Sequence, residues 1–394
     1  MNKTNIEWTD FSANPIKYQD ADGRVAWGCV KASAGCQNCY AEAISKRFRG
    51  PGAGFTAKRM EGLTPYVDEA ELKAMLSPRR LPAGSKVFVG DMTDIFGPWV
   101  PFDMLDRLFA VFALRPDVVF QVLTKRPERM REYLTNFEAS EPLLEGGDDG
   151  SRSQVSMQLD RVVQPGTGRE PNREAQPGYL RTERERGGQS VLEVHAERGA
   201  DDADRQPSSV HAVRGRQELL REVRAGIEER IAEQMSLIAS ATGLSSLLWS
   251  WPLPNVWLGT SVEDQATADR RIPELLACPA AVRFVSAEPL LGPVEFGWDD
   301  WGYVERPDWV VCGGESGPGA RPCDISWIRS IVEQCKAAGV AVFVKQVGSS
   351  PYFPADCDCE GEHGNHRTDV RLKDRKGGAM DEWPGDLRVR EMPR

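Results

Sequence analysis

Short apolar runs alternate with amphipathic helical patterns in two stretches of the chain. The runs that read as strands are Asn5–Trp8, Val87–Gly90, Val118–Leu123, Asn255–Gly259, Val282–Ser286, Trp309–Cys312 and Val340–Val344. The helical patterns are Ala41–Phe48, Asp68–Leu76, Phe102–Leu114, Ala266–Leu276 and Ile325–Ala338. Such alternation is typical of a parallel sheet that is covered by helices or closed into a barrel. We therefore predict an α/β protein, a partial TIM-like (βα) barrel of about six to seven parallel strands.

A long polar segment separates the two patterned stretches. Residues 140–215 are rich in Gly, Arg, Glu, Gln, Ser and Pro and have no apolar period, which predicts a disordered insertion. Apolar residues return at helical spacing over Gln217–Ile238, which predicts an amphipathic helix that packs on the barrel. The alternative role for residues 216–240 is docking of a protein partner. The expected organisation is a first half-barrel with the cysteine loop (1–139), the insertion (140–215), the helix and a linker (216–253), a second half-barrel (254–348) and a tail (349–394).

Composition narrows the class of protein. Of the 394 residues 40% are hydrophobic, which is enough for a sizeable core. No apolar run approaches ~18 residues and no hydrophobic leader opens the chain, so we expect no membrane span and a cytoplasmic location. The net charge of −10 argues against coating nucleic acid by bulk electrostatics, although it permits a local basic groove. The chain has only 4 histidines, which argues against histidine acid–base catalysis in the core.

Cysteine spacing supplies the first candidate chemistry. Nine cysteines in a chain of this kind suggest metal or redox chemistry rather than a disulfide framework. Cys29, Cys36 and Cys39 have the spacing C-x6-C-x2-C, between the first predicted strand and a helix. Three thiolates can hold three irons of a [4Fe–4S] cluster and leave the fourth iron open to a ligand. The alternatives are a zinc ion that borrows a distant cysteine as its fourth ligand, and unligated thiols.

Several longer motifs resemble those of a known family. They are TNIEWTD near the start, Asn14–Pro15, GCQNCYAE, VGDMTDIF, LTKRPERM, NVWLGTSVED, RFVSAEPLLG and VCGGESGPGARP. The chain in this respect resembles the three-Cys-motif family of phages and bacteria, a family of unknown function considered similar to radical S-adenosylmethionine enzymes. The resemblance covers most of residues 1–134 and 254–348. Residues 16–27 and the long insertion are departures that remove no motif residue.

The resemblance implies a cofactor and a reaction type. The radical enzymes use C-x3-C-x2-C, whereas this chain has C-x6-C-x2-C. By analogy the open iron would chelate S-adenosylmethionine. One electron from the cluster, which an electron donor supplies, would then cleave the S–C5′ bond and release a 5′-deoxyadenosyl radical. The cofactor would carry out the hard chemistry, and the protein would position it and exclude water.

Polar groups that follow the predicted strands supply the candidate site residues, because ligands bind at the carboxyl edge of parallel sheets. By the resemblance, Asp91 would bind the methionyl ammonium, unless it caps a helix instead. Tyr40 would pack on the cluster or on adenine, or only in the core. The candidate cofactor-binding residues are Tyr40, Gly90, Asp91, Thr124, Ser261, Glu263, Gly313 and Glu315. The catalytic candidates are Lys125, Glu288 and Lys345, and ordinary salt bridges would explain any one of these charges equally well.

The tail holds a second group of metal-binding side chains. Cys357, Cys359, His363 and His366 form C-x-C-x3-H-x2-H, which can supply four ligands to zinc. The alternative is a solvated acidic tail.

Two functions therefore stand as hypotheses. The first is a radical S-adenosylmethionine-like iron–sulfur enzyme that modifies an unidentified substrate, for which a nucleic-acid base or nucleotide is the working guess. The alternative is a non-catalytic metal-binding module that contacts nucleic acid or a protein partner. A cluster-free hydrolase is disfavoured, because the core offers no nucleophile–histidine pair.

Overall fold

The computed structural model describes residues 1–49, 55–135, 209–242, 250–298, 305–354 and 367–393. By its internal contacts the chain divides into two units, residues 1–138 with 214–394, and residues 139–213. The second unit lies almost wholly outside the described residues. The expected disorder of the insertion up to residue 208 therefore stays a prediction.

The strands and helices follow the predicted alternation. The strands are β1 (Asn2–Lys3), β2 (Phe11–Ala13), β3 (Ile16–Gln19), β4 (Val25–Ala26), β5 (Thr64–Val67), β6 (Lys86–Val89), β7 (Val119–Thr124), β8 (Val256–Ser261), β9 (Val282–Ala287), β10 (Trp309–Gly313), β11 (Cys323–Asp324), β12 (Ala341–Gln346), β13 (Pro351–Pro354) and β14 (Arg367–Asp369). The helices are α1 (Tyr40–Arg49), α2 (Ala57–Met60), α3 (Glu69–Leu76), α4 (Phe102–Ala113), α5 (Pro127–Thr135), α6 (Ser209–Thr242), α7 (Gln265–Leu276) and α8 (Ile325–Ala338).

The main sheet contains eight strands in the order β1-β2-β6-β7-β8-β9-β10-β12. Strand β1 is antiparallel to β2, and the other neighbouring strands of this sheet are parallel. In the described residues, helices connect successive parallel strands except between β9 and β10, because a parallel crossover needs a dozen or more residues. A largely parallel α/β sheet is therefore confirmed. In the described part of the chain, no pairing of β1 with β12 closes the sheet into a barrel.

An aromatic cluster shows that the sheet is strongly curled. Strands β6 and β10 are four strand spacings apart, which is about 19 Å in a flat sheet. Yet Phe88 of β6 and Trp309 of β10 have ring centroids only 5.0 Å and 6.1 Å from that of Trp8. The rings fill the concave face and form its core, so the carboxyl ends of the strands converge above them.

The C-terminal segment returns to the sheet and covers its last edge. Val344 of β12 donates its N–H to the carbonyl of Val389, and Glu391 donates to the carbonyl of Val342. Trp383 and Leu387 of the same segment are buried in the core. Covering β12 in this way removes an exposed row of backbone groups that would otherwise pair with another chain.

The first predicted strand is wrong. Residues 5–8 lie outside any strand, with a turn at residues 7 and 8, and the parallel strand of the main sheet in this region is β2. The chain turns because Trp8 enters the aromatic cluster on the concave face, where only 4% of it stays exposed. Residues 16–27, the departure from the family's motifs, contribute β3 and β4. Strand β3 pairs with β4 on one side and with β5 on the other, in a small antiparallel sheet.

Helix α6 begins at Ser209, before the predicted boundary at residue 216 and inside the segment expected to be disordered. Its residues Ile227, Ile231 and Met235 are buried in the main core, as the amphipathic pattern predicts. The docking role considered for residues 216–240 stays a prediction. Among the described helices, none combines the length and apolar character needed to cross a membrane.

We expect Asn255→Ala to destabilise the fold markedly. The buried Asn255 amide donates to the carbonyls of Phe112, Arg115 and Val118, at 3.0 Å each. Phe112 lies in the last turn of α4, and Arg115 and Val118 lie just beyond it. Removing the donor takes away three buried hydrogen bonds, although the carbonyls of Phe112 and Arg115 each keep a backbone partner. The free energy of unfolding should therefore fall by about 2–3 kcal/mol. Urea denaturation followed by circular dichroism measures this, with the exposed Asn2→Ala as control. A loss below about 0.5 kcal/mol would contradict this account of the α4 terminus.

Candidate functional site

A cavity of about 290 Å³ opens at the carboxyl ends of the parallel strands. Its volume lies near the lower end of the range for small-molecule sites. Most of the residues chosen from the sequence line it together. They are Cys29, Cys36, Cys39, Tyr40, Gly90, Asp91, Thr124, Lys125, Ser261, Glu288, Glu315 and Lys345. The curled sheet thus brings side chains from the ends of separate strands to one place.

Residues 29–39, here called the cysteine loop, form one wall of the cavity. The loop includes a short 3₁₀ turn at Ala34–Cys36 and leads directly into α1. The thiols of Cys29, Cys36 and Cys39 are free and half-buried. An apolar cluster that includes Phe55 and Met92 packs against Cys29 and Cys39.

The surroundings of Cys29 and Cys39 favour the protonated form of these two thiols. Burial, with the nearby Asp94 carboxylate, raises the pKa of Cys29 to about 12, and burial also raises the pKa of Cys39. A bound metal would reverse this preference, because a coordinating thiol is deprotonated outright.

The donor chemistry of the cysteine loop fits an iron–sulfur cluster. Three thiols share one cavity wall beside apolar side chains, and the Ala32 N–H points at Cys36 Sγ at 3.4 Å, the kind of contact that tunes cluster sulfurs. The side chains are not arranged as a ready ion site, since no group of three His, Cys, Asp or Glu among the described residues could hold a metal ion. The possible zinc ligands Cys357, Cys359, His363 and His366 lie outside the described residues.

Asp94 organises the end of β7 and was not singled out from the sequence. Its carboxylate accepts from Thr124 Oγ1 at 2.7 Å, from the Lys125 N–H at 3.1 Å and from Arg126 Nη1 at 2.9 Å. Arg126 also donates to the carbonyl of Val30, at 2.7 Å, so it holds the start of the cysteine loop. Thr124 therefore lines the cavity with its hydroxyl already committed to Asp94. Asp94 belongs to the motif VGDMTDIF, but nothing in the sequence distinguished it from Asp91 of the same motif.

Two of the predicted cofactor-binding residues do not line the cavity. Glu263 is fully buried behind the cysteine loop, where it pairs with Arg271. Gly313 lies against β12, where a Cβ would come 2.5 Å from the carbonyl oxygen of Gln346, at an irregularity in the pairing of β10 and β12. Close strand packing explains this glycine better than contact with a ligand.

Glu315 lines the cavity but is largely engaged by the protein. It accepts from Arg321 Nε at 2.9 Å and from Asn38 Nδ2 at 3.0 Å, and Arg321 in turn donates to the carbonyl of Ala34. Burial would raise the pKa of Glu315, but these hydrogen bonds outweigh it and lower the pKa below its ordinary value. Glu315 thus anchors the C-terminal half of the cysteine loop.

Gly90 and Asp91 bring the end of β6 close to the cavity. Gly90 has φ +84, and a Cβ there would come 2.7 Å from Ile95, so both backbone and space require glycine. The Asp91 carboxylate accepts from Asn14, and the Tyr40 hydroxyl donates to the Asp91 carbonyl at 2.6 Å. Burial raises the pKa of Asp91 despite these hydrogen bonds.

The catalytic candidates Glu288 and Lys345 form a pair inside the cavity. Lys345 Nζ lies 2.7 Å and 2.9 Å from the two oxygens of Glu288, and Gln346 donates to the same carboxylate. The third candidate, Lys125, lies 3.3 Å from Glu263 Oε1. Sequence reasoning did not single out Ser286 or Met92, which also line the cavity. The site therefore offers thiols, a carboxylate at Asp91 and an ion pair, grouped around a space for one small molecule.

The fold and this cavity define an α/β protein with a cysteine-lined site at the carboxyl edge of a curled sheet. The chain belongs to the family described as protein of unknown function, DUF5131, which matches residues 3–190 and 203–382. No curated protein and no solved structure matches the chain. The family description names no activity, so the likeness to the three-Cys-motif family and to radical enzymes is carried by the motifs alone.

Proposed function

We propose that this protein is an iron–sulfur enzyme of the radical S-adenosylmethionine type. One observation carries the proposal: three free thiols, the half-buried Asp91 carboxylate and a lysine–glutamate pair line a single cavity at the converging strand ends. Ligand sites occupy this edge in parallel α/β folds. The proposal includes a partial barrel for the curled sheet, and a cytoplasmic location, where thiols stay reduced.

The residues of the cavity divide the work between them. Cys29, Cys36 and Cys39 would hold a [4Fe–4S] cluster with one iron open to a ligand. Reduced by an external one-electron donor, such a cluster supplies the electron that breaks the S–C5′ bond of S-adenosylmethionine, which yields methionine and a 5′-deoxyadenosyl radical. Asp91 would accept hydrogen bonds from the methionyl ammonium, and Phe55 and Met92 would exclude water on the side of the thiols.

The Lys345–Glu288 pair would serve the substrate. It sits on strand ends β12 and β9, away from the cysteine loop in sequence, and presents both a donor and an acceptor to the cavity. A nucleic-acid base or nucleotide has matching groups, and we take this as the substrate class. Lys345→Ala should accordingly leave cleavage of S-adenosylmethionine intact.

The direct test is metal analysis followed by cofactor cleavage. Anaerobically purified protein should be brown, contain about four irons and four sulfides per chain, and release 5′-deoxyadenosine slowly with dithionite and S-adenosylmethionine. A colourless protein with zinc would replace the proposal with the metal-binding module. A full cluster without 5′-deoxyadenosine would leave a structural or electron-transfer role.

Asp91→Asn should weaken binding of S-adenosylmethionine while sparing the cluster. A charge-assisted hydrogen bond contributes about 1.5–3 kcal/mol, so the dissociation constant should rise roughly ten- to a hundredfold. Equilibrium dialysis with labelled S-adenosylmethionine measures this, with the exposed Asp269→Asn as matched control. Unchanged affinity with unchanged iron would remove Asp91 from the binding site.

A further inference from the structure

Side chains that follow several strands form hydrogen bonds with the cysteine loop along its length. Arg126, beyond the end of β7, holds the carbonyl of Val30. Asn38 and the carbonyl of Ala34 are held by Glu315 and Arg321, which follow β10. Between these two anchors, the loop rests on Glu263, just after the end of β8. Charged groups chosen from the sequence as ligand-binding candidates thus contact the loop itself.

Glu263 makes the most enclosed of these contacts. Its Oε1 accepts from Ser33 Oγ at 2.7 Å and lies 3.3 Å from Lys125 Nζ, while Oε2 lies 3.0 Å from Arg271 Nη1. The side chains of Glu263 and Arg271 are both 0% exposed. Arg271 cannot lose its proton in a protein, so the Glu263 carboxylate balances a permanent buried charge. Its position is therefore set by the core and not by the loop.

Gly35 lies directly against this carboxylate. A Cβ at this position would come within 2.6 Å of the Glu263 Cδ. A flexible side chain would yield to such a contact, but Glu263 is held on the other side by Arg271. At Gly35, the residue before Cys36, the loop therefore lies closer to Glu263 than a residue with a Cβ could lie.

We propose that Glu263 is a positioning residue that fixes the cysteine loop and, through it, the relative placement of the Cys29, Cys36 and Cys39 thiols. The Glu263 carboxylate is held by Arg271 and accepts a hydrogen bond from the Ser33 hydroxyl. It also limits how closely the loop packs at Gly35. Lys125 completes the contact from the cavity side. The consequence for a cluster rests on the proposed function, whereas the placement of the thiols does not.

Alkylation of the metal-free full-length protein tests the placement directly. Iodoacetamide labelling is followed peptide by peptide by mass spectrometry in wild type, Ser33→Ala and Gly35→Ala. The three loop thiols should react about tenfold faster in both variants, because the loop loses its contact with Glu263. The buried cysteines Cys278, Cys312, Cys323 and Cys335 report unfolding within the same sample and should stay unlabelled.

Matched variants separate positioning from a general loss of structure. Ser33→Thr keeps a hydroxyl and should restore the wild-type rates, and the exposed Ser236→Ala should not change them. Loop thiols that react at the wild-type rate in both Ser33→Ala and Gly35→Ala would overturn the proposal. The proposal would also be overturned if the buried cysteines of Ser33→Ala reacted as fast as its loop thiols, because Ser33 would then support the whole fold.

The same variants distinguish this inference from the proposed function. A wild type that binds no iron would defeat the proposed function and leave the alkylation contrast intact. If the wild type binds iron but its loop thiols react at the same rate as those of the variants, only the positioning role is refuted. If both hold, Ser33→Ala and Gly35→Ala should also retain less than half of the wild-type iron after anaerobic reconstitution.

Discussion

Single replacement of Cys29, Cys36 or Cys39 by alanine should reduce bound iron from about four per chain to nearly none. Two thiolates cannot hold a cluster that keeps one iron open, and no cysteine outside the cysteine loop lines the described cavity to replace the missing ligand. Iron and sulfide analysis of anaerobically purified protein, with the absorbance near 400 nm, measures the loss.

Cys278→Ala and Cys335→Ala are the matched controls, since both thiols are free and buried and neither lines the cavity. These variants should keep their iron, with only the modest loss of stability expected for a small truncation in a core. Full iron in Cys36→Ala would refute the assignment of the cluster to the cysteine loop.

Asp94→Ala should have the largest effect on stability among the site variants. The carboxylate accepts from Thr124, from the backbone of Lys125 and from Arg126, and it is nearly buried. Removing it leaves the Arg126 guanidinium in a partly buried position without its counter-charge, which costs about 3 kcal/mol. Arg126 would also lose the orientation in which it holds the carbonyl of Val30, so iron should fall as well.

Urea denaturation gives the free energy of unfolding, and iron analysis gives the occupancy. Asp94→Asn retains a carbonyl acceptor and should fall between wild type and Asp94→Ala. The exposed Asp269→Ala should change stability by no more than about 0.5 kcal/mol. If Asp94→Ala proved as stable as this control, Asp94 would not organise the end of β7.

Local pattern predicted most of the elements of the main sheet and its covering helices. The run Val118–Leu123 is strand β7 shifted by one residue, and the pattern over Ile325–Ala338 has the same bounds as α8. Strands buried on both faces are continuous apolar runs, and helices on the sheet show a regular apolar stripe, so each is written in consecutive residues. Asn5–Trp8 failed because Trp8 is buried by distant aromatic rings rather than by neighbours in a strand.

The strand-end rule also located the cavity. Asp91, Lys125, Glu288 and Lys345 each follow an apolar run, and they line one space because parallel strands end at the same edge. The rule could not say which way each charge faces. Ser33 and Glu263, for example, are separated by 230 positions in the chain and joined by a hydrogen bond.

The sequence by itself determined the α/β class, the parallel order of elements, the spacing of the three cysteines and the edge at which the site lies. These features depend on local periodicity and on residues close together in the chain. Tertiary structure alone decided that Glu263 supports the cysteine loop from the core, that Asp94 holds Arg126, and that Lys345 faces Glu288. The reason is that a charge removed from water must be paired, and its partner comes from whichever remote strand end the fold brings beside it.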